Sequence, residues 1–223
     1  MTVPAGAEAV ADVRRRLALA SRRAGRPEGS VRLVAVTKGV DVDRIEEVLT
    51  AGVEDLGESR AQELLAKAPD LAPYAPAWHF VGRLQRNKVP GLAPHVTLWH
   101  SVDRLEAGEV IARRQPHGRV LVEVNTSQEP QKGGCSPAGA AALVDALRAR
   151  GLAVEGLMTV PAAGHDPRPA FASLRELAGR LDLDELSMGM SDDFEVAVEE
   201  GATMVRLGRA LFGPRPAPPG VQR

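Results

Sequence analysis

The sequence has little of several residue types, and each shortage excludes a class of protein. A single Cys excludes an intramolecular disulfide framework and any metal site built from several cysteines, and it fits a reducing compartment. Aromatic residues make up 3% of the chain, too few for an aromatic-rich β-sandwich, whereas the abundant Ala, Val and Leu suit helices packed on buried parallel strands. The apolar runs all fall short of the roughly 18 residues that a membrane span needs.

Charge is balanced as well. Lys and Arg number 28 against 29 Asp and Glu, a formal net charge of −1. The chain as a whole therefore gives no reason to expect nucleic acid or a membrane surface as a partner. No apolar run of signal-peptide length follows the arginines at 14–16, so we expect a cytoplasmic protein without a targeting segment.

Strand-like apolar stretches alternate with helical patterns along most of the chain. An amphipathic helix is predicted first, with Val10, Val13 and Leu17 on one stripe. Eight strand–helix units in about 200–250 residues are typical of a TIM (β/α)8 barrel, and an open doubly wound sheet is the alternative. The strand-like stretches are 31–36, 54–56, 78–81, 96–99, 119–124, 153–158, 185–188 and 203–207.

The predicted organisation has one domain with two short flanking parts. Residues 1–30 form an N-terminal helix packed on the barrel, residues 31–213 form the barrel, and residues 214–223 form a Pro-rich flexible tail. The connector at 83–89 is the weakest part of the pattern, because it is short for a helix.

Lys38, at the end of the first strand, is the first candidate for chemistry. Loops after the strands form the working face of a TIM barrel. A lysine at a buried strand end is costly unless it is paired, neutral or exposed at a site. The neutral amine attacks aldehydes to form a Schiff base. A solvated loop lysine is the alternative interpretation.

The junction after the seventh strand is rich in small residues. Ser187, Gly189 and Ser191 lie there, and we expect Ser191 to cap the helix that follows. Loops after strands seven and eight form the recurrent phosphate site of this fold. The aspartates at 192 and 193 oppose an anion at that helix end, and ordinary turn chemistry is the alternative.

The last strand supplies three further candidates. Arg206 lies inside the strand pattern and would donate to a ring nitrogen or a carboxylate if it faces the barrel mouth. An outward-facing Arg206 would be an edge residue instead. Gly208 and Arg209 follow the strand, where a short extra helix starting near Arg209 would cradle a phosphate.

Other strand ends carry weaker candidates. His79 is either a site residue or a hydrogen-bonded structural histidine, and Asn125 either binds a ligand or caps a turn. The five histidines have no HxxxH or HExxH spacing, so no metal site is predicted.

Several motifs together resemble the pyridoxal phosphate homeostasis protein family (YggS/PROSC type). The match runs from about residue 31 to residue 213, and its most specific block is the last. The resemblance implies a fold type III barrel like that of alanine racemase, without the racemase's second, β-rich domain. The motifs are LVAVTKG, LGESRAQEL, WHFVGRLQRNK, HSVDR, VLVEVNTS with KGG, GLMTVPA and LSMGMSDDFEVAVEEGATMVRLGRALFG.

The resemblance also implies a cofactor and residue roles. Pyridoxal 5'-phosphate would form a Schiff base on Lys38, with Arg206 facing the pyridine nitrogen. A guanidinium keeps its proton, so it would leave that nitrogen neutral and restrain carbanion chemistry. Ser191, Gly208 and Arg209 would hold the phosphate. The remaining predicted cofactor contacts are Ser59, His79, Asn125, Ser187 and Gly189.

The implied role is that of a carrier or regulator in vitamin B6 and amino-acid balance, without established turnover. Apo-enzymes that use the cofactor, or amino acids, would be its partners, and we expect a monomer. One alternative is an amino-acid racemase or lyase, for which His79 is the only obvious acid or base. Another is a cofactor-free barrel enzyme acting on a sugar phosphate through Lys38. Ser59 departs from the family's usual Asn, which leaves its contact with the ligand open.

Overall fold

Eight parallel strands close into a barrel in the part of the chain that the computed structural model describes, residues 6–127, 129 and 132–214. Each strand pairs with the next in sequence, and the first pairs with the last. The TIM barrel prediction is confirmed, and the open doubly wound sheet is wrong because the sheet has no free edge. Residues 215–223 of the predicted tail lie outside the described residues.

The strands and helices alternate as in other (β/α)8 barrels. The strands are β1 (Arg32–Val36), β2 (Asp55–Glu58), β3 (Ala77–Phe80), β4 (Val96–Val102), β5 (Arg119–Glu123), β6 (Ala153–Met158), β7 (Glu185–Ser187) and β8 (Met204–Leu207). The helices are α1 (Gly6–Arg23), α2 (Val42–Thr50), α3 (Ala61–Leu71), α4 (Val89–Leu92), α5 (Leu105–Arg114), α6 (Ala140–Ala149), α7 (Arg168–Arg180), α8 (Phe194–Glu199) and α9 (Arg209–Phe212).

Helix α1 packs on the outside of the barrel through the stripe that the sequence predicts. Val10 and Val13 are buried. Arg16 lies 4.5 Å from the centre of the Phe194 ring and forms an ion pair with Glu195 at 2.8 Å. These contacts fasten α1 to α8, the helix that follows the predicted phosphate loop. No helix in the described ranges is long and apolar enough to cross a membrane.

The lumen of the barrel is layered, because alternate side chains of each strand face inward. One layer is apolar and contains a separate buried cluster of Leu98, Leu121, Met158 and Met204. Two residues further along three of these strands, on the same face, the side chains are polar: His100, Glu123 and Arg206. The polar layer therefore lies nearer the C-terminal ends of the strands, where the site is expected.

Two local predictions about the chain after β7 and β8 have different outcomes. The short helix starting near Arg209 is confirmed as α9. The prediction that Ser191 caps α8 is wrong, because Asp193 is the N-cap residue of α8. The Ser191 hydroxyl instead accepts a hydrogen bond from the Ala210 N–H at 3.1 Å, in the first turn of α9. Ser191 therefore ties the two loops together.

Candidate functional site

A cavity of about 630 Å³ opens at the C-terminal ends of the strands. Loops after β1, β2, β5, β6, β7 and β8 supply its polar side chains, which the barrel brings together from distant parts of the sequence. Six of the residues singled out in the sequence line it: Lys38, Ser59, Ser191, Arg206, Gly208 and Arg209. The four others, His79, Asn125, Ser187 and Gly189, do not.

Lys38 presents an amine without a counter-ion. It lies two residues beyond β1 and is half-buried. Among the described residues no carboxylate forms an ion pair with it, whereas the buried Lys67 pairs with both Glu58 and Glu63. An amine that is not held by a carboxylate is available to an electrophile.

A buried ionic cluster holds the backbone just before Lys38. Glu58 is fully buried at the end of β2 and accepts a hydrogen bond from the Thr37 hydroxyl at 2.9 Å. The Lys67 ammonium donates to Glu58 at 3.0 Å and to the Thr37 carbonyl at 2.7 Å. Glu58 also accepts from the backbone N–H groups of Ser59 and Arg60. The cluster therefore connects the loops after β1 and β2.

A second contact holds the backbone just after Lys38. The Gly39 N–H donates to Glu63 at 2.7 Å. Burial acts to raise the pKa of Glu63, but hydrogen bonds from Gly39, Lys67 and Arg60 outweigh it and lower that pKa to about 2. The sequence interpretation missed Glu63 and Lys67, although their i,i+4 spacing is a recognisable signal of a helical pair.

Arg206 faces inward. It is 5% exposed, and it donates to the Ser187 hydroxyl at 2.6 Å and to the Thr159 carbonyl at 2.9 Å. Burial lowers its pKa to about 10, an effect that Glu123 and Asp193 oppose. The guanidinium therefore stays protonated at neutral pH, and the outward-facing alternative is wrong.

The loops after β7 and β8 meet beside the cavity. Gly189 has φ +95°, and a Cβ there would lie 2.6 Å from the Cβ of Ala197, so this turn requires glycine. The Gly189 carbonyl accepts from the Arg206 N–H at 2.9 Å. Arg209 forms an exposed ion pair with Asp192. An anion bound here would therefore share Arg209 with Asp192.

The remaining predicted residues lie outside the cavity lining. His79 and Ser187 are buried inside the barrel. Asn125 donates through its amide to the Glu129 carbonyl at 2.9 Å, within the loop after β5. Gly189 contributes only its backbone carbonyl, which accepts from the Arg206 N–H. Direct contact of these four with a cofactor stays a prediction.

Glu123, at the end of β5, is a titratable group that the sequence interpretation missed. Burial, with a smaller contribution from Asp103, raises its pKa to about 7, while Arg206 and Arg83 act in the opposite direction. An acidic residue ending the apolar run RVLVE is the signal that could have revealed it. Within the described part of the chain, no three His, Cys, Asp or Glu side chains are grouped to hold a metal ion.

The cavity suits a phosphorylated aldehyde in several respects. Lys38 has no counter-ion in the described chain, Arg206 keeps its charge, and Arg209 lies beside the loop with Ser191. The Ser59 hydroxyl is buried with no hydrogen-bond partner in the structure. Such an orphan group is costly unless a ligand or a water satisfies it.

The fold and the site together place this chain in the class of barrels found in alanine racemase. The family model "Alanine racemase, N-terminal domain" matches residues 10–216. Alanine racemase from Corynebacterium glutamicum superposes with a TM-score of 0.70 at 17% identity, over 96% of this chain and 63% of that chain. At this identity the likeness establishes the fold alone.

Relatives of higher sequence identity show which family within this class the chain belongs to. The pyridoxal phosphate homeostasis protein of Pseudomonas aeruginosa is 43% identical over 222 residues, which are 94% of this chain and 95% of that protein. PipY of Synechococcus elongatus, solved with PLP bound, superposes with a TM-score of 0.78 at 34% identity, over 90% of this chain and 100% of that chain. The chain belongs to the pyridoxal phosphate homeostasis protein family.

Proposed function

We propose that this chain binds pyridoxal 5'-phosphate in the cavity at the C-terminal end of the barrel, held reversibly and covalently by the Lys38 amine. Its role is that of a carrier or regulator in the balance of the cofactor and of amino acids. The observation that carries the proposal is the Lys38 amine, unpaired in the described chain, in the same cavity as Arg206 and Arg209. The bound cofactor supplies an aldehyde that condenses with a neutral amine and releases water.

Lys38 and Arg206 do different work in this site. The ionic cluster of Glu58, Glu63 and Lys67 fixes the backbone on both sides of Lys38, so the amine is presented from a rigid turn. Arg206 offers N–H donors to the pyridine nitrogen and keeps its proton, since its pKa is about 10. It therefore orients the ring without making the ring a strong electron sink, which suits storage better than turnover.

The phosphate end has a counter-ion of its own. Arg209 and Ser191 lie where the phosphate would bind, and Asp192 pairs with Arg209 in the same place. Asp192 therefore competes with the phosphate for one cation. Competition of this kind weakens retention, which suits a carrier that must release its cofactor.

Borohydride reduction tests the covalent assignment, because it converts a carbon–nitrogen double bond into a stable amine. Protein loaded with pyridoxal phosphate should carry the reduced cofactor on the peptide that contains Lys38. Lys38→Ala should lose this label, and Lys88→Ala, a lysine outside the cavity lining, should keep it. A Lys38→Ala protein that retains equal label on another lysine would disprove the assignment.

An amino-acid racemase or lyase is the second candidate. It needs an acid or base near the cofactor, and His79 does not line the cavity. Glu123 does not line it either, but its pKa of about 7 and its electrostatic interaction with Arg206, which does line the cavity, favour this candidate. Incubation of the loaded protein with L-alanine or L-serine separates the two functions: turnover above about 1 s⁻¹ supports an enzyme, and its absence supports a carrier.

We further propose that the protein works as a monomer in the cytoplasm, and that apo-enzymes or free amino acids take up the cofactor. The single Cys, Cys135, suits a reducing compartment. Gel filtration of the loaded protein, with and without an apo-enzyme that needs the cofactor, tests these partners.

A further inference from the structure

A series of hydrogen bonds runs through the barrel interior from Asp55 to Arg206. The Asp55 carboxylate lies 2.9 Å from His79 Nε2, and His79 Nδ1 lies 2.8 Å from His100 Nε2. His100 Nδ1 lies 2.8 Å from the Ser187 hydroxyl. That hydroxyl accepts from Arg206 Nη1 at 2.6 Å. We refer to these five side chains as the lumen relay.

The lumen relay connects the two ends of the barrel. Its first three members lie on the neighbouring strands β2, β3 and β4, and it then crosses the lumen to β7 and β8. Asp55 is the first residue of β2 and lines two cavities at the N-terminal end of the barrel, of about 510 and 480 Å³. Arg206 lines the cavity at the opposite end. The histidines and Ser187 are almost fully buried.

With both histidines neutral, elementary hydrogen-bond chemistry gives the protons of this series one consistent arrangement. A guanidinium only donates, so the Ser187 oxygen accepts from Arg206, and in this arrangement the hydroxyl's own proton goes to a bare His100 Nδ1. His100 must then carry its proton on Nε2 and donate to His79 Nδ1.

The same logic fixes the other end. His79 is left with a proton on Nε2, which it donates to the Asp55 carboxylate, a group that only accepts. The opposite direction would turn a bare His79 nitrogen toward that carboxylate. With neutral histidines, one arrangement is consistent.

The surroundings keep His100, in the middle of the series, neutral. Burial lowers the pKa of His100 well below its usual range, and the nearby charges of Arg206 and Arg32 act in the same direction. At the other end of the series, Glu123 and Asp193 stabilise the charge of Arg206. The relay therefore runs from a fixed cation to a carboxylate through the neutral ring of His100.

We propose that Asp55, His79, His100 and Ser187 are positioning residues for the cofactor: their one-directional relay fixes the Arg206 guanidinium and couples the cavity to the N-terminal end of the barrel. The identity of the ligand in this proposal rests on the proposed function. The direction of the relay does not, because it is a property of the ligand-free protein. Coupling between two sites is reciprocal, so a change at Asp55 must alter ligand binding as ligand binding alters Asp55 and His79.

Nitrogen-15 NMR of ring-labelled histidine tests the relay without any ligand. We expect His79 and His100 to carry their protons on Nε2 in the free protein, with the exposed His117 as an internal reference. A ring of either residue protonated on Nδ1 would overturn the proposal. Added pyridoxal phosphate should shift the His79 signals and leave those of His117, which lies outside the cavity lining, unchanged. If the cofactor does not bind, the proposed function fails while the tautomers stand as a separate result.

Substitution of Asp55 tests the coupling, with Glu155 as a matched acid at the same end of the barrel and outside the relay. Asp55→Ala removes the terminal acceptor, so the histidines should populate both tautomers and pyridoxal phosphate should bind about fivefold more weakly or worse. Asp55→Asn keeps an acceptor oxygen without the charge and should fall between. Glu155→Ala should match the wild type in both measurements.

Two outcomes would contradict the coupling. One is an Asp55→Ala protein that keeps wild-type tautomers and affinity, and the other is an equal loss of affinity in Glu155→Ala. If Asp55→Ala does not fold, as judged by circular dichroism, Asp55→Asn decides: a shift in its His79 and His100 ring signals supports the relay, and unchanged signals overturn it.

Discussion

The two ends of the barrel differ in whether their cations are paired with carboxylates. At the N-terminal end, Arg119 forms a two-pronged ion pair with Glu155, one contact of which measures 2.9 Å, and Arg32 pairs with Glu185 at 3.7 Å. At the C-terminal end, Lys38 has no ion pair within the described residues, and Arg206 donates to neutral oxygens. The C-terminal end also has paired cations, Lys67 and Arg209, but it alone leaves Lys38 and Arg206 without a carboxylate partner among the contacts described above.

The pKa shifts of titratable groups also differ between the two ends of the barrel. At the C-terminal end, burial raises the pKa of Glu123 to about 7 and that of Cys135 to about 11, and it lowers that of Arg206 to about 10. At the N-terminal end, a hydrogen bond from Glu155 raises the pKa of Arg119. Perturbation by burial together with specific partners is typical of a functional site, whereas exposed pairs stabilise the charged state that water already favours.

Glu58→Ala should give the largest effect on stability. The substitution leaves the Lys67 ammonium buried with one carboxylate fewer and removes acceptors from Thr37 and two backbone N–H groups. Breaking a buried pair in this way costs about 3–5 kcal/mol of unfolding free energy. Urea denaturation measures it. A loss below ~1 kcal/mol would mean that the cluster does not hold the loop at Lys38.

Glu123→Gln should stabilise the protein in a pH-dependent manner. The pKa of Glu123 is about 7 in the folded protein against a usual 4.5, so the folded state keeps a proton that the unfolded state releases. Stability therefore falls as pH rises from 4.5 through 7, by ~3 kcal/mol at most. The variant should remove this loss above pH 7 and change little below pH 4.5. Denaturation at a series of pH values checks it, and an unchanged pH profile would contradict the perturbed pKa.

Glu155→Gln should give the smallest effect. It breaks the exposed pair with Arg119, and such pairs contribute about 0–1 kcal/mol and weaken with added salt. The unfolding free energy, measured at low and high salt, should differ from the wild type by less than ~1 kcal/mol. A loss comparable to that of Glu58→Ala would remove the contrast between the two ends of the barrel.

Much of the fold followed from local patterns. The apolar runs predicted eight strands, and strand-end positions predicted that Lys38, Arg206 and Arg209 share one face, as the cavity lining confirms. The local pattern wrongly predicted that Ser191 caps α8. Its hydroxyl serves α9, across the gap between two loops, and not the helix that follows it in sequence. Capping rules describe neighbours in sequence, and they do not register a competing partner 19 residues away.

The sequence by itself determined the alternation of strands and helices, because hydrophobic periodicity is a local property. It also determined which residue types reach the C-terminal ends of the strands, since parallel strands all end at one face. Only the tertiary structure decided their environments. Closure of the barrel buries Glu58 and Lys67 together, aligns His79 with His100, and leaves Lys38 without a partner in the described chain. Distance and burial set the charge of a side chain, and both come from packing between residues far apart in sequence.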